Sequence, residues 1–349
     1  MGGGLREDRR GHQRQRTGHP CVDRAMAADQ LRHRRLHRSA PMSPAPLTGQ
    51  RILLTGVTGQ VAGPLSRALV AEGNTVFGTS RFTKPEDRAA VEASGVIPIA
   101  IDLETGAFDE IPDDLDYVIN MAVAKTNDFD RDLRANAEGV ALLIERVAGV
   151  KAFFHCSSCA VYEPNGHVSH VETDPLGDNH RSMGFMPTYS ISKIAAESSV
   201  KYASRRFGVP AVIARLDVPH GPEHGWPQMM VRLAQMGIPT PISPDAPNTH
   251  CFLHDRDLLS SLPYLLEVAD VPPPIFNWCA PELVSIEEWT AELTRLTGVE
   301  IPLVVTEACV PPNPIDPSKL LALGWTPTVQ WRDAFRETAQ TCFPDLFRG

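Results

Sequence analysis

The 349-residue chain is 42% hydrophobic and 21% charged, long enough for one large domain or two unequal ones around a sizeable core. Residues 1–41 hold ten Arg and no Lys against four acids and so carry +6, which leaves −15 on the remainder of a chain whose net charge is −9. An acidic body argues against nucleic acid as a partner, and no apolar run of about 18 residues is present to span a membrane.

The Arg- and His-rich stretch 1–41 lacks the apolar segment of about 7–15 residues that a secretory signal needs. A basic arm for nucleic acid is one reading, since Arg clusters attract phosphate. The plainer one is a disordered leader, with Met42-Ser43-Pro44 placed as a natural start just before the first strand.

Arg51-Ile52-Leu53-Leu54-Thr55 is a short apolar run of the kind found in buried parallel strands. It leads into Gly56-Val57-Thr58-Gly59-Gln60-Val61-Ala62-Gly63, after which Leu65, Ala68, Leu69 and Ala71 repeat at helical spacing. Gly73-Asn74 breaks that helix, and Thr75 to Thr79 reads as a second strand. This order makes a phosphate-binding turn credible. A pyrophosphate docks on backbone N–H groups at a helix start, and glycine permits the close approach. The spacing is G-x-x-G-x-x-A, and not the G-x-G-x-x-G of the dehydrogenase fingerprint. The cofactor-contacting residues expected here are Gly56, Thr58, Gly59, Gln60 and Val61.

The second strand ends in Ser80-Arg81, with no acid to bind a ribose 2′-hydroxyl. Arg accommodates a 2′-phosphate, so the cofactor expected is NAD(P), with NADP slightly favoured over NAD. Strands follow at Val96–Ile101, closed by Asp102-Leu103, at Tyr117–Ala122 and at Lys151–Cys156, with a helix from about Phe129 to Val147 that contains Asn136. Alternating strands and helices predict a parallel sheet covered on both faces. The fold class expected is α/β, a Rossmann-type doubly wound parallel sheet over residues 50–218. Residues 219–349 are expected mostly as a smaller C-terminal substrate-binding lobe, with some segments returning to the first domain.

Thr188 to Phe207 reads as a long helix on which Tyr189 and Lys193 stand at i and i+4, on one face. A free phenol, with a pKa near 10, is a poor base at neutral pH. A lysine ammonium and a helix N-terminus beside it favour phenolate, which suits a proton shuttle for alcohol–carbonyl interconversion.

With these features the chain resembles the extended short-chain dehydrogenase/reductases, the NAD-dependent epimerase/dehydratase family. The matching segments run in order from Arg51 to about Thr341. They are Thr55-Gly56-x-x-Gly59, Asp102-Leu103, Asn120-Met121-Ala122, Asn136-x-x-Gly139, Ser157-Ser158-Cys159-Ala160-Val161-Tyr162, Tyr189-x-x-x-Lys193, Arg215 leading to Gly221-Pro222, Phe252-Leu253-His254-Asp255, Phe276-Asn277 and Leu323-Gly324-Trp325-x-Pro327. The resemblance implies Tyr189 as general acid/base, Lys193 on the nicotinamide ribose and Ser158 on the substrate oxygen. It implies that Asp102 and Leu103 lie against adenine and that Asn120, Met121 and Ala122 line the cofactor groove. Asn136 is expected to organise the site.

Nucleotide-sugar members commonly read R-x-x-N-x-Y-G-P, whereas this chain has Arg215-Leu216-Asp217-Val218-Pro219-His220-Gly221-Pro222. An Arg common four residues before the His of F-I-H-V-x-D is His250 here. A pyrophosphate needs fixed cations or donors, and two are missing, though Arg232 or Arg256 could compensate. The expected function is therefore hydride transfer to or from a small hydroxyl- or carbonyl-bearing substrate. A nucleotide-sugar epimerase or dehydratase is one alternative, and a non-catalytic NAD(P)-sensing regulator is another. His220, His224, His250 and His254 lack metal-ligand spacing, so no metal is expected. Cys156-x-x-Cys159 has redox spacing but sits at a strand end, so reduced thiols in a cytoplasmic protein are expected. The expected partner is a small molecule, with no nucleic acid and no membrane, and a homodimer stays open.

Overall fold

The structure is a computed structural model that describes Met1, residues 43–181 and residues 183–349. Met1 aside, the leader expected over residues 1–41 lies outside the described residues, and so does Ser182. No helix among the described residues is long and apolar enough to cross a membrane.

Six strands come first: β1 (Arg51–Thr55), β2 (Thr75–Ser80), β3 (Ile97–Ala100), β4 (Tyr117–Asn120), β5 (Ala152–Ser158) and β6 (Ala211–Leu216). Between them lie α1 (Ala62–Ala71), α2 (Pro85–Ala93), α3 (Phe129–Leu133), α4 (Gly139–Arg146) and α5 (Tyr189–Phe207). A π-helical turn, Arg134–Glu138, joins α3 to α4 and carries the buried Asn136. Beyond β6 come β7 (Val218–His220), α6 (Trp226–Gln235), β8 (Thr240–Ile242), β9 (Thr249–His254), α7 (Asp255–Glu267) and β10 (Ile275–Trp278). The chain closes with β11 (Leu283–Ser285), α8 (Ile286–Thr297), β12 (Leu303–Val305), α9 (Ser318–Leu321) and α10 (Trp331–Cys342).

The main sheet has seven parallel strands in the order β10-β6-β5-β4-β1-β2-β3. Apolar side chains of both sheet faces are buried, with Ile52 and Leu54 in one cluster and Leu53 and Val118 in the other. That two-sided burial explains why β1 reads as a continuous apolar run. Strand order reverses between β1 and β4, and the crevice outside the carboxyl ends of such strands is where α/β sheets bind ligands.

Two boundaries differ from the sequence expectation for physical reasons. β4 stops at Asn120, because the N–H groups of Met121 and Ala122 donate to Thr55 Oγ1 at 3.0 Å and leave the ladder. β5 runs on to Ser158, because its register with β6 continues to Ser158↔Leu216. The late segments build a second core, where β9 pairs parallel with β7 and antiparallel with β11. That core is aromatic: Phe252 lies 3.9 Å from Trp289 and 5.2 Å from Phe335 between ring centroids.

Candidate active site

The turn after β1 is fixed by its backbone. Gly56 sits at φ +79°, and a Cβ there would lie 2.9 Å from the Cα of Ala122, just past β4. Glycine alone meets both demands without strain. The Gly56 and Val57 N–H groups donate to Thr79 O, and the Gly59 N–H donates to Gly56 O at 2.8 Å. The chain then enters α1, whose first turn carries no side-chain cap and no acid. Its N–H groups and dipole thus suit an anion.

Below this turn is a buried polar floor. Thr55 Oγ1 donates to Asn120 Oδ1 at 2.7 Å, and Asn120 Nδ2 meets His155 Nδ1 at 2.9 Å. Asn120, expected to line the cofactor groove, therefore lies beneath it with its amide already engaged. Asn136, expected to organise the site, ties two segments together: its amide accepts from Ala124 N at 2.7 Å and donates to Ala124 O and Ser192 Oγ. Asp132, which sequence reading passed over, accepts from Thr126, Asn127 and Thr188 and ties the same loop to the start of α5. Burial pushes its carboxyl up, but those hydrogen bonds outweigh it and hold the pKa below the ordinary value. Gly139 completes the packing, since a Cβ there would stand 2.2 Å from Leu103 O.

Two cavities open along the carboxyl edge of the sheet and share Gly56, Gly59 and Met121. The smaller, about 230 Å³, is lined by Thr58, Ser80, Arg81, Asp102, Leu103 and Ala122 together with Glu104 and Arg131. Thr58 Oγ1 and Ser80 Oγ are 2.8 Å apart. Arg131 and Arg134 both pair with Glu104, whereas Arg81 is exposed and makes no hydrogen bond or ion pair among the described residues.

The larger, about 560 Å³, runs from Gly56, Gln60 and Val61 past Ser158, Tyr189 and Lys193 to Asp217, Trp226 and His250. Ser158 ends β5 and caps the following turn by accepting from Ala160 N at 3.2 Å. Tyr189 is the first residue of α5, and Lys193, one turn on, is buried with Nζ donating to Cys156 O at 2.7 Å. Burial pushes the Tyr189 phenol above its ordinary value, while the Ser158 hydroxyl beside it pulls the other way. The expectation that Lys193 brings the phenol down is thus not met by these residues alone. Lys193 Nζ stands 6.0 Å from the phenol ring centroid and its own pKa is lowered, by burial first. A second ammonium, Lys125, lies closer, 4.7 Å from that centroid. Nothing in its sequence context marked it.

The lining beyond β6 carries a buried carboxylate. Asp217 accepts from Cys251 N at 2.7 Å and from Cys159 Sγ at 3.3 Å, and His250 Nδ1 stands 3.8 Å from it. His220 does not line this cavity, because its ring packs on Phe252, His254 and Phe335. Neither Arg232 nor Arg256 lines it either, and Arg256 pairs with Glu337 at 3.0 Å. Burial raises the thiols of Cys156 and Cys159, which disfavours the reactive thiolate that a redox motif needs.

Known proteins give a consistent comparison. A family model described as the NAD dependent epimerase/dehydratase family matches residues 52–277. A trifunctional UDP-glucose 4,6-dehydratase/UDP-4-keto-6-deoxy-D-glucose 3,5-epimerase/UDP-4-keto-L-rhamnose-reductase of Arabidopsis thaliana is 24% identical over 250 residues, 66% of this chain and 36% of the relative. A dTDP-D-glucose 4,6-dehydratase of Mus musculus is 26% identical over 223 residues, 59% of this chain and 60% of the relative. The chain thus spans less than two-thirds of the length of the curated relatives it matches. The solved UDP-glucuronic acid 4-epimerase of Bacillus cereus, in complex with UDP-glucuronic acid and NAD, has the same fold. It superposes with a TM-score of 0.69 at 21% identity and covers 84% of this chain and 98% of that one. With more than half of its length matched by the family model, the chain belongs to the NAD dependent epimerase/dehydratase family.

Proposed function

We propose that the protein is an NAD(P)-dependent oxidoreductase or epimerase that interconverts an alcohol and a carbonyl on a small polar substrate. The observation that carries this is the convergence of Ser158, Tyr189 and Lys193 in one cavity that reaches back to the Gly56–Gly59 turn. The residues fit such a cofactor. A side chain at Gly56 would fill the cradle, and the smaller cavity offers Ser80 and Arg81 for the far ribose.

When bound, the nicotinamide supplies the hydride acceptor or donor. The remaining chemistry falls to this chain. Lys193 keeps two ammonium protons beyond the one given to Cys156 O, enough for ribose hydroxyls. Ser158 donates to the reacting oxygen, and Tyr189 moves its proton. A phenol held protonated by burial is ready to give that proton to a nascent alkoxide. For the reverse direction it needs added positive charge, and Lys125 and Lys193 stand near.

A nucleotide-sugar substrate is the second reading, favoured by the relatives named above. The cavity favours a smaller one: its lining ammonium groups, Lys125 and Lys193, both stand by Tyr189, and its lining also bears the carboxylate of Asp217. Oxidation of bound NADPH by a panel of simple ketones and aldoses, beside UDP-glucose and UDP-glucuronic acid, separates the two. The deciding variant is Tyr189→Phe, expected to cut turnover roughly 10²-fold or more with cofactor affinity nearly unchanged. Near-normal turnover in that variant would remove Tyr189 from the chemistry.

A further inference from the structure

The loop before α5 carries a histidine that the proton-transfer set does not use. His180 is buried, lines the 560 Å³ cavity and sets its ring edge-on to Tyr189, with 5.2 Å between centroids. Its Nδ1 is engaged twice, by Asn179 Oδ1 at 2.5 Å and by Ser190 Oγ at 2.7 Å.

These bonds fix the tautomer. Asn179 Nδ2 donates to the carbonyl of Tyr162 at 3.2 Å, so Asn179 Oδ1 is the end that faces His180 and can only accept. Ser190 Oγ also donates to that oxygen, at 2.7 Å. The proton of the imidazole must therefore sit on Nδ1, and Nε2 keeps its lone pair. Nε2 has no hydrogen-bond partner among the described residues, yet it is not among the buried polar atoms sealed from solvent as His250 Nε2 and His254 Nε2 are. The ring has no other polar atom to offer the cavity.

We propose that His180 is a specificity-determining residue: its Nε2 accepts a hydrogen bond from a second hydroxyl or amide N–H of the substrate, beside the oxygen served by Ser158 and Tyr189. The inference rests on the proposed function and narrows its substrate class to polyhydroxylated or hydroxy-amide carbonyl compounds. Burial first, and then the charge of Lys125, hold the imidazole pKa down to about 4, so the acceptor stays neutral at physiological pH. A protonated ring would instead repel substrate donors. Asp217 adds a second acceptor to the lining of the same cavity, in keeping with a substrate rich in donors.

Two measurements on the full chain test this. Long-range ¹H–¹⁵N correlation spectra, assigned with His180→Gln, should show His180 neutral and protonated at Nδ1 from pH 5 to 8. An Nε2–H tautomer, or an imidazolium in that range, overturns the proposal without need of any substrate. The second uses whichever probe of the panel above the unmodified protein turns over. His180→Phe should raise KM about tenfold, the scale of one lost hydrogen bond, with kcat changed much less. His180→Gln, which restores an acceptor, should recover part of that loss. An unchanged KM in His180→Phe, or a loss confined to kcat, overturns the proposal even if Tyr189→Phe behaves as expected. If no probe is turned over, the functional reading fails, and the tautomer alone decides the role of His180.

Discussion

The sheet half and the late segments bury polar groups in different ways. Around the carboxyl ends of β4 and β5, buried polar side chains hold one another: Thr55 with Asn120, Asn120 with His155, and Glu197 with Arg215 and Ser157, with His155 Nε2 left as a sealed atom without a hydrogen bond among the described residues. In the core around β7 and β9, His220 Nδ1, His224 Nδ1, His250 Nε2 and His254 Nε2 are sealed without a hydrogen-bond partner among the described residues, although His254 Nε2 stands 3.8 Å from the Glu337 carboxylate. Hydrogen bonds between buried side chains make an arrangement rigid, while each unpaired buried polar group costs stability. The sheet side, the platform under the two cavities, is thus held mainly by hydrogen bonds between side chains, and the late core holds its imidazoles mainly by ring packing.

The largest effect should come from breaking the best-satisfied pair. Glu197 and Arg215 are almost wholly buried and joined by two bonds of 2.8 Å. Removing one partner strands the other charge, so Glu197→Ala should cost about 3–5 kcal/mol. The exposed Arg256–Glu337 pair gives the contrast, since Glu337→Ala should cost less than about 1 kcal/mol. Urea unfolding of the two variants measures both, and similar losses would erase the distinction. Burial pushes the Glu197 carboxyl up, but Arg215 and Ser157 pull it below its ordinary 4.5. Its contribution is therefore complete above about pH 4.5 and is lost as pH falls through the lower folded value.

Paired histidine variants sharpen the comparison at smaller scale. His155→Phe strands Asn120 and should destabilise by about 1–3 kcal/mol at pH 7.5. His220→Phe keeps the ring contacts with Phe252 and Phe335 and discards an unpartnered Nδ1, so it should stay within about 1 kcal/mol of the unmodified protein. Burial, then the neighbouring His254 and His224, hold His220 well below 6.5. A depressed folded pKa means neutral burial that is stable above 6.5 and weakens as pH falls below it. Unfolding midpoints from pH 7.5 down to 4.5 should accordingly fall less steeply in His220→Phe. A curve parallel to that of the unmodified protein contradicts this.

What could be read from the sequence was local in the chain. The Gly56–Gly59 turn needs only its own backbone and the following helix, and Tyr189 and Lys193 are brought together by one helical turn. Arg51–Thr55 reads correctly because a strand buried on both faces is apolar throughout. Asn120 was misplaced because spacing fixes its position after β4 but not the direction of its side chain, which Thr55 and His155 capture. His180 and Lys125 stayed invisible because both lie in loops without periodicity, and their approach to Tyr189 depends on packing between distant segments. His220 and His250 show the same limit on β7 and β9. Motif alignment put His220 at the Tyr of R-x-x-N-x-Y-G-P and His250 at the Arg before F-I-H-V-x-D, yet only His250 faces the cavity, since the aromatic core takes up the ring of His220.

The smallest effect concerns the less constrained edge of the platform itself. Among the charged residues lining the smaller cavity, Arg131 is tied to Glu104, and Asp102 accepts from the Glu104 N–H at 3.0 Å. Arg81 has no such tie among the described residues, and Ser80 beside it lies 2.8 Å from the Thr58 hydroxyl. A 2′-phosphate at this edge would find the Arg81 guanidinium, unpaired among the described residues, and two hydroxyls, while the Asp102 carboxylate beside it tempers the attraction. Unmodified protein should therefore bind NADPH more tightly than NADH. Because Arg81 is exposed and screened, the advantage should be modest, about tenfold, and should shrink as salt is raised. Arg81→Ala should remove that advantage by weakening NADPH while NADH stays within about twofold. Cofactor fluorescence titrations at two salt concentrations read all of these quantities. Equal affinities in the unmodified protein would show that Arg81 merely opens the loop to Lys84, and that this edge of the platform, unlike its floor, carries no cofactor choice.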